Sequence, residues 1–210
     1  MVRLGEGSER AIHLCMKCGS MEGTRRVVFE GKKIPADYGE PLRRVNVLFV
    51  AESPSTSGRY FYKQEGKASI LRQKLFDMLV EAGLLGNPDL DEFKQRNYYL
   101  VDVAKCPFSK PNGSNAAPPR QAIENCRPFL IQELAFCKPR AICTLGKSSL
   151  RALITAKRFR LKDYVGTVNP SRLREDVACF KIPVLACWYP MSMVNWKMKI
   201  GAIKKLVRFL

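Results

Sequence analysis

Histidine is nearly absent from this 210-residue chain, and the only one is His13. Imidazole chemistry and multi-histidine metal sites are thereby excluded everywhere except at that position. Carboxylates are also scarce: 19 Asp and Glu stand against 36 Lys and Arg, for a net charge of +17. So one-sided a balance points to a polyanionic partner, and DNA or RNA is the usual one. No apolar run approaches the roughly 20 residues of a membrane span. The opening stretch MVRLGEGSER has no apolar signal core. The expectation is a cytoplasmic, DNA-associated protein with no membrane partner, acting as a monomer. Internal repeats and low-complexity linkers are missing, so the length suits one α/β domain over residues 1–210.

Cysteine, by contrast, occurs eight times. Without a secretion signal, a disulfide framework is not expected and a metal or cluster is. Cys137, Cys143, Cys179 and Cys187 lie in apolar contexts and read as small buried hydrophobes. The other four differ. Cys15 and Cys18 form a Cys-x2-Cys pair, Cys106 follows a strand-like run in YYLVDVAKCPF, and Cys126 lies in the helix-like NCRPFLIQEL. Two close ligands with two distant ones make a plausible four-thiolate site, which zinc and an iron–sulfur cluster would both accept.

Periodicity organises the rest. RVNVLFVAES (44–53), NYYLVDVAKC (97–106), the start of RAICTLGKSSLRALI and IPVLACWYP read as four buried strands. Residues 67–85 place Ile70, Leu71, Leu75, Met78 and Leu79 at helical spacing. RQAIENCRPFLIQELAFC reads as a helix that Pro128 starts or interrupts, and NWKMKIGAIKKLVRFL as a terminal amphipathic helix. Strands alternating with helices predict a single α/β domain, a central mostly parallel sheet with helices on both faces. Ligands of such sheets bind at the carboxyl ends of the strands. The unusual residues fall there: Glu52 to Ser55, Asp102 to Cys106, Leu145 to Lys147, and Trp188 to Met191.

AESPS, SGRYF, VDVAKC, ENCRPFLIQEL, CTLGKSSLRAL and WYPMS stand in one order from Cys15 to the C-terminus. In that order and rough spacing they resemble the uracil-DNA glycosylase superfamily, and its iron–sulfur family 4 branch above all. The resemblance implies a DNA repair glycosylase with a structural 4Fe–4S cluster on Cys15, Cys18, Cys106 and Cys126, zinc being the alternative metal. Residues 51–55 stand in the place of a Gly-Glu-x-Pro-Gly motif whose two glycines are lost here. Gly58, Arg59, Tyr60 and Phe61 match Gly-Arg-Pro-Phe, which makes Phe61 the ring that stacks on an extruded base. The family's base-reading Asn falls on Asp102, and its His-Pro-Ser on Tyr189, Pro190 and Met191. Residues 191–199 occupy the duplex-inserting loop. The resemblance thus implies Ser53, Phe61 and Asp102 on the base, and Arg59, Met191, Ser192, Asn195, Lys197 and Lys199 on DNA.

A glycosylase extrudes a nucleotide and helps the C1′–N bond break while water attacks the sugar. The transition state resembles an oxocarbenium ion, which a fixed carboxylate near C1′ stabilises. Glu52 suits that role, and Tyr189 can donate one hydrogen bond to the departing base. An ionised Asp102 offers only acceptors, whereas a protonated one presents a donor and an acceptor, as the oxo/N–H edge of uracil or hypoxanthine requires. Cleavage is expected to be monofunctional, Lys147 being the lysine nearest a strand tip. Two alternatives follow from the lost Asn and His and from the charge: a catalytically inactive lesion binder of the same fold, and a four-cysteine zinc protein that holds nucleic acid.

Overall fold

The computed structural model describes residue 18 and residues 44–57, 59, 61–62 and 69–210. The helix expected over residues 1–25 lies outside them except for Cys18, as do Cys15, His13, Gly58 and Tyr60. Strand β1 (Val47–Ala51) is an apolar run buried along its whole length, the mark of a strand covered on both faces. It leads through α1 (Ile70–Glu81) and α2 (Leu90–Gln95) to β2 (Tyr98–Asp102). The chain continues through α3 (Arg120–Cys137), β3 (Ala141–Leu145), α4 (Lys147–Leu153) and β4 (Gly166–Thr167). It ends with α5 (Glu175–Ala178), β5 (Val184–Cys187), α6 (Trp196–Ile203) and a short 3-10 turn.

The strands form one five-stranded sheet in the order β2-β1-β3-β5-β4, parallel throughout except for the last pair. The expected α/β class and mostly parallel sheet are therefore present. From β1 the chain first adds β2 on one side and then β3 on the other, so the order reverses beside β1. Parallel neighbours need a crossover, which the helices supply. On the helix layers α1 packs with α6, and α3 with α4.

Local chemistry explains the boundaries. Ser69 caps α1 by accepting the Arg72 N–H at 3.0 Å, which starts the helix at residue 70 of the expected 67–85 stretch. The first apolar residue of that pattern, Ile70, is consequently half exposed, while Leu75, Phe76, Met78 and Leu79 face the core. Pro128 neither starts nor breaks α3. It lies on the exposed face, where water can meet the carbonyl its ring displaces. Lys138 closes α3 in a left-handed conformation just before Pro139. Helix α2 and the two-residue β4 were not legible as elements, being too short for a period to show.

Lys105 ties the end of β2 to α3. Its buried ammonium donates to the Asp102 carbonyl oxygen at 2.7 Å and to both Glu133 carboxylate oxygens at 2.6 and 2.7 Å. Breaking a buried pair from one side leaves an uncompensated charge, so Lys105→Met should lower the unfolding free energy by about 3 kcal/mol. Adding Glu133→Leu should restore most of that loss. Urea titration measures both, and a single-variant cost below about 1 kcal/mol would show the pair to be incidental.

Candidate active site

Three strand tips meet where the sheet order reverses. Glu52 immediately follows β1, Gly146 follows β3, and Tyr189 lies two residues beyond β5. The ladder continues past the strands: Val103 N–H donates to the Ala51 carbonyl and Ala104 N–H to the Glu52 carbonyl, both at 3.0 Å. Gly146 N–H donates to the Cys187 carbonyl at 2.9 Å. These bonds lock the Glu52 backbone beside Asp102, whose register partner is Ala51.

The Glu52 carboxyl is half-buried, and burial pushes its pKa above the ordinary 4.5. Hydrogen bonds from the side chain and backbone of Ser148, in the first turn of α4, oppose that rise without cancelling it. Ser148 is itself buried and was not singled out from the sequence. Its only signal was its place two residues after the Gly146 turn. Gly146 adopts φ +96°, a conformation that favours glycine. A Cβ there would lie 3.1 Å from the Tyr189 Cβ and 3.6 Å from Glu52 Oε1, so the absent side chain is what lets the three tips approach.

Tyr189 is half-buried, and its hydroxyl pKa is driven well above the ordinary 10.0 by burial first and then by the charges of Glu52 and Asp102. Its phenol stays protonated at neutral pH, a hydrogen-bond donor beside two carboxyl groups. Asp102 is buried at the end of β2. Ser53 is half-buried next to Glu52. The turn behind them is held by Asn115, whose Oδ1 accepts from Thr56 N–H at 3.0 Å and from Thr56 Oγ1 at 2.6 Å. Asn115 lies in the long loop after β2, another contributor that sequence reading missed.

Other expected residues are placed differently. Phe61 is no open stacking platform. Its ring packs edge-on against Tyr62, Phe76 and Phe93, and Arg72 donates to its carbonyl at 2.8 Å, leaving it 8% exposed. Tyr62 anchors the same segment, its hydroxyl bonding Leu100 N and O at 2.6 and 3.1 Å. Lys199 was expected to face phosphate. Instead it is buried and donates to the carbonyls of Pro190 and Ser192 at 2.8 and 2.6 Å, shaping the loop from beneath. Asn195 spends its side-chain oxygen capping α6 by accepting Lys197 N–H at 2.9 Å. The Ser192 hydroxyl oxygen is buried with no hydrogen-bond partner among the described residues. Met191, Met193, Lys197 and Arg59 do face solvent, and Met193 projects fully.

Of the thiols, Cys143 and Cys187 are buried in the sheet with their sulfurs 3.6 Å apart, and burial lifts Cys137 to about 12. Cys179 departs from expectation, because α5 leaves it exposed. Cys18 and Cys106 pack with Ala104, Phe108 and Ala122 in a small apolar cluster apart from the main core. Two sulfurs accept hydrogen bonds at 3.4 Å: Cys126 from the Lys105 backbone N–H, and Cys18 from Asn125 Nδ2. Donors aimed at sulfur suit thiolate ligands, so the residues present fit a thiolate-bound group. Among the described residues, no group of three or more His, Cys, Asp or Glu side chains is arranged to hold a metal ion. Cys15, the fourth expected ligand, lies outside them.

A reversed parallel sheet with a carboxyl pair and a phenol gathered at its carboxyl end defines an α/β protein whose chemistry-bearing residues stand at the switch point, the place where ligands of such sheets bind. Residues 36–205 match the Uracil DNA glycosylase superfamily, and the chain belongs to it. It is 26% identical over 171 residues to a type-4 uracil-DNA glycosylase of Pyrobaculum aerophilum, spanning 80% of this chain and 77% of that protein. A type-4 uracil-DNA glycosylase of Saccharolobus solfataricus is 22% identical over 182 residues, spanning 86% and 73%. A type-5 uracil-DNA glycosylase of Pyrobaculum aerophilum is 27% identical over 154 residues, spanning 67% and 65%.

Two outcomes follow from this packing. A carboxyl whose pKa is raised by folding contributes stability in acid that is lost as pH rises through the folded value. Glu52→Gln keeps the shape but cannot ionise, so its thermal midpoint should match the parent's in acid and exceed it near neutrality. Curves superimposed at every pH would show the carboxylate to be well solvated. Gly146→Ala should cost about 1–2 kcal/mol in denaturant titration, from the positive φ and the crowding of Tyr189.

Proposed function

We propose that this protein is a monofunctional DNA glycosylase that hydrolyses the N-glycosidic bond of a deaminated base, uracil or hypoxanthine. The observation that carries the reading is the Glu52 carboxyl, held by Ser148 at the strand junction beside Tyr189 and Asp102. An extruded nucleotide would enter the crevice at the carboxyl ends of β1 and β2. Asp102, with Ser53 beside it, would read the base edge. A proton on Asp102 supplies the donor and acceptor that an oxo/N–H edge needs.

As the C1′–N bond lengthens, positive charge grows on the sugar and negative charge on the leaving base. Glu52 faces the first and orients the attacking water, while the neutral Tyr189 hydroxyl donates to the second. Water oxygen joins C1′ as the C1′–N bond breaks, its proton passes by way of Glu52 and solvent to the departing base anion, and the free base leaves an abasic site in the DNA. Met191 and Met193 would wedge into the base stack on a loop that Lys199 supports, with Lys197 and Arg59 near phosphate. For Phe61 to stack on the base, it would have to leave its ring cluster. Cys15, Cys18, Cys106 and Cys126 would hold a 4Fe–4S cluster of structural role. A cluster would give the purified chain a broad visible absorption that zinc lacks.

The test is base release from labelled duplexes carrying uracil, hypoxanthine, xanthine or a normal base, followed by alkali cleavage. One altered duplex should be cut, with Glu52→Ala slowing release by about 10²- to 10³-fold, the usual size for losing one transition-state electrostatic contact. Asp102→Asn should shift preference towards uracil. Tight binding of an altered duplex with no release of any base would leave a lesion-binding protein in place of the enzyme.

A further inference from the structure

The segment that follows the Gly146 turn is strongly basic. Between Gly146 and Arg174 there are seven Lys and Arg residues and a single acid, Asp163, which pairs with Arg160. Arg174 is taken up by Glu124. Among the described residues, Lys147, Arg151, Lys157, Arg158, Lys162 and Arg172 join no ion pair. Grouped on an exposed surface, these like charges set up a positive field that draws an anion.

Three of these cations are seated on aromatic rings. Lys147 Nζ lies 5.5 Å and Arg151 Cζ 5.9 Å from the centre of Phe159, and Arg172 Cζ lies 5.0 Å from that of Tyr164. The two rings meet edge to face at 5.3 Å, so the cations share one platform. Arg151 Nε is buried there without a hydrogen-bond partner among the described residues.

Topology puts the platform on the rim of the crevice. Lys147 is the residue between Gly146, which abuts Glu52 and Tyr189, and Ser148, which bonds Glu52. Strand β4 runs antiparallel to β5, so the residues just before Gly166, Tyr164 among them, lie by the carboxyl end of β5. Cations thus extend outward from the site along the sheet edge.

We propose that this rim, from Lys147 to Arg172, is a phosphate-binding track for the DNA strand flanking the extruded nucleotide. It rests on the DNA-glycosylase reading for its partner, but not on catalysis. Each neutralised phosphate contributes a slope of about −0.9 to the dependence of log affinity on log salt. Lys157, Arg158, Lys162 and Arg172 are all exposed, so replacing them with Gln should leave the fold intact, which circular dichroism checks.

The measurement is fluorescence anisotropy of the full chain on a labelled duplex bearing a tetrahydrofuran abasic analogue, across a salt series. The slope should shallow by about two or more, from the ~0.9 lost with each phosphate contact. Arg96→Gln/Arg140→Gln, on exposed residues at the opposite, amino end of the strands, should leave it unchanged. An unchanged slope in the quadruple variant, with the parent protein binding well, overturns the track and spares the glycosylase. A shallower slope in a protein that releases no base keeps the track and removes the glycosylase.

Discussion

Parallel pairing of β1 with β2 on one side and β3 on the other is the constraint on which the site depends. Each parallel neighbour forces a crossover, the first from β1 to β2 and the second from β2 back past β1 to β3. The result is a switch point at the carboxyl end of β1, where ligands of such sheets bind. Backbone hydrogen bonds running past the strand ends hold it in place, so the side chains there need not stabilise themselves. A half-buried carboxyl at Glu52 is tolerable only because this frame is rigid and Ser148 is already in position to donate.

Charge is handled in two ways. In the interior, the fold matches charges locally: Lys105 answers Glu133 and the Asp102 carbonyl, and Lys199 answers the carbonyls of the loop above it. On the outside, matching is sparse, and cations that join no ion pair among the described residues gather along the rim that starts at Lys147. Burial makes an unpaired charge expensive, whereas solvent makes it cheap to hold until a polyanion arrives. The same residue type therefore does opposite work at Lys199 and Lys197, two positions apart.

Departures from the family pattern concentrate on the crevice. Where the sequence resemblance implies Asn and His, this chain has Asp102 and Tyr189, and the charges of Asp102 and Glu52 both act on the Tyr189 phenol. Tyr189 keeps a proton that a buried phenol cannot easily lose, so it stands beside the carboxyls as a neutral donor. The turn after β1 is tied from outside, by Asn115 reaching in from the loop after β2 to accept from Thr56.

Much of the frame was legible in the chain itself. Unbroken apolar runs such as Val47 to Ala51 can be satisfied only by a strand buried on both faces, so four strands and the sheet class followed from local pattern. Glu52, Asp102 and Tyr189 were legible as strand-tip residues for the same reason. Direction and partnership were not. Whether Lys199 turns inward, whether Phe61 leaves its ring to the core, and whether Cys179 is exposed depend on which elements pack over them. Ser148 and Asn115 bond residues 96 and 59 positions away in the chain. Periodicity reports the environment of a residue averaged over a face, so it dictates what must be buried. Only the closed sheet decides which distant side chains meet.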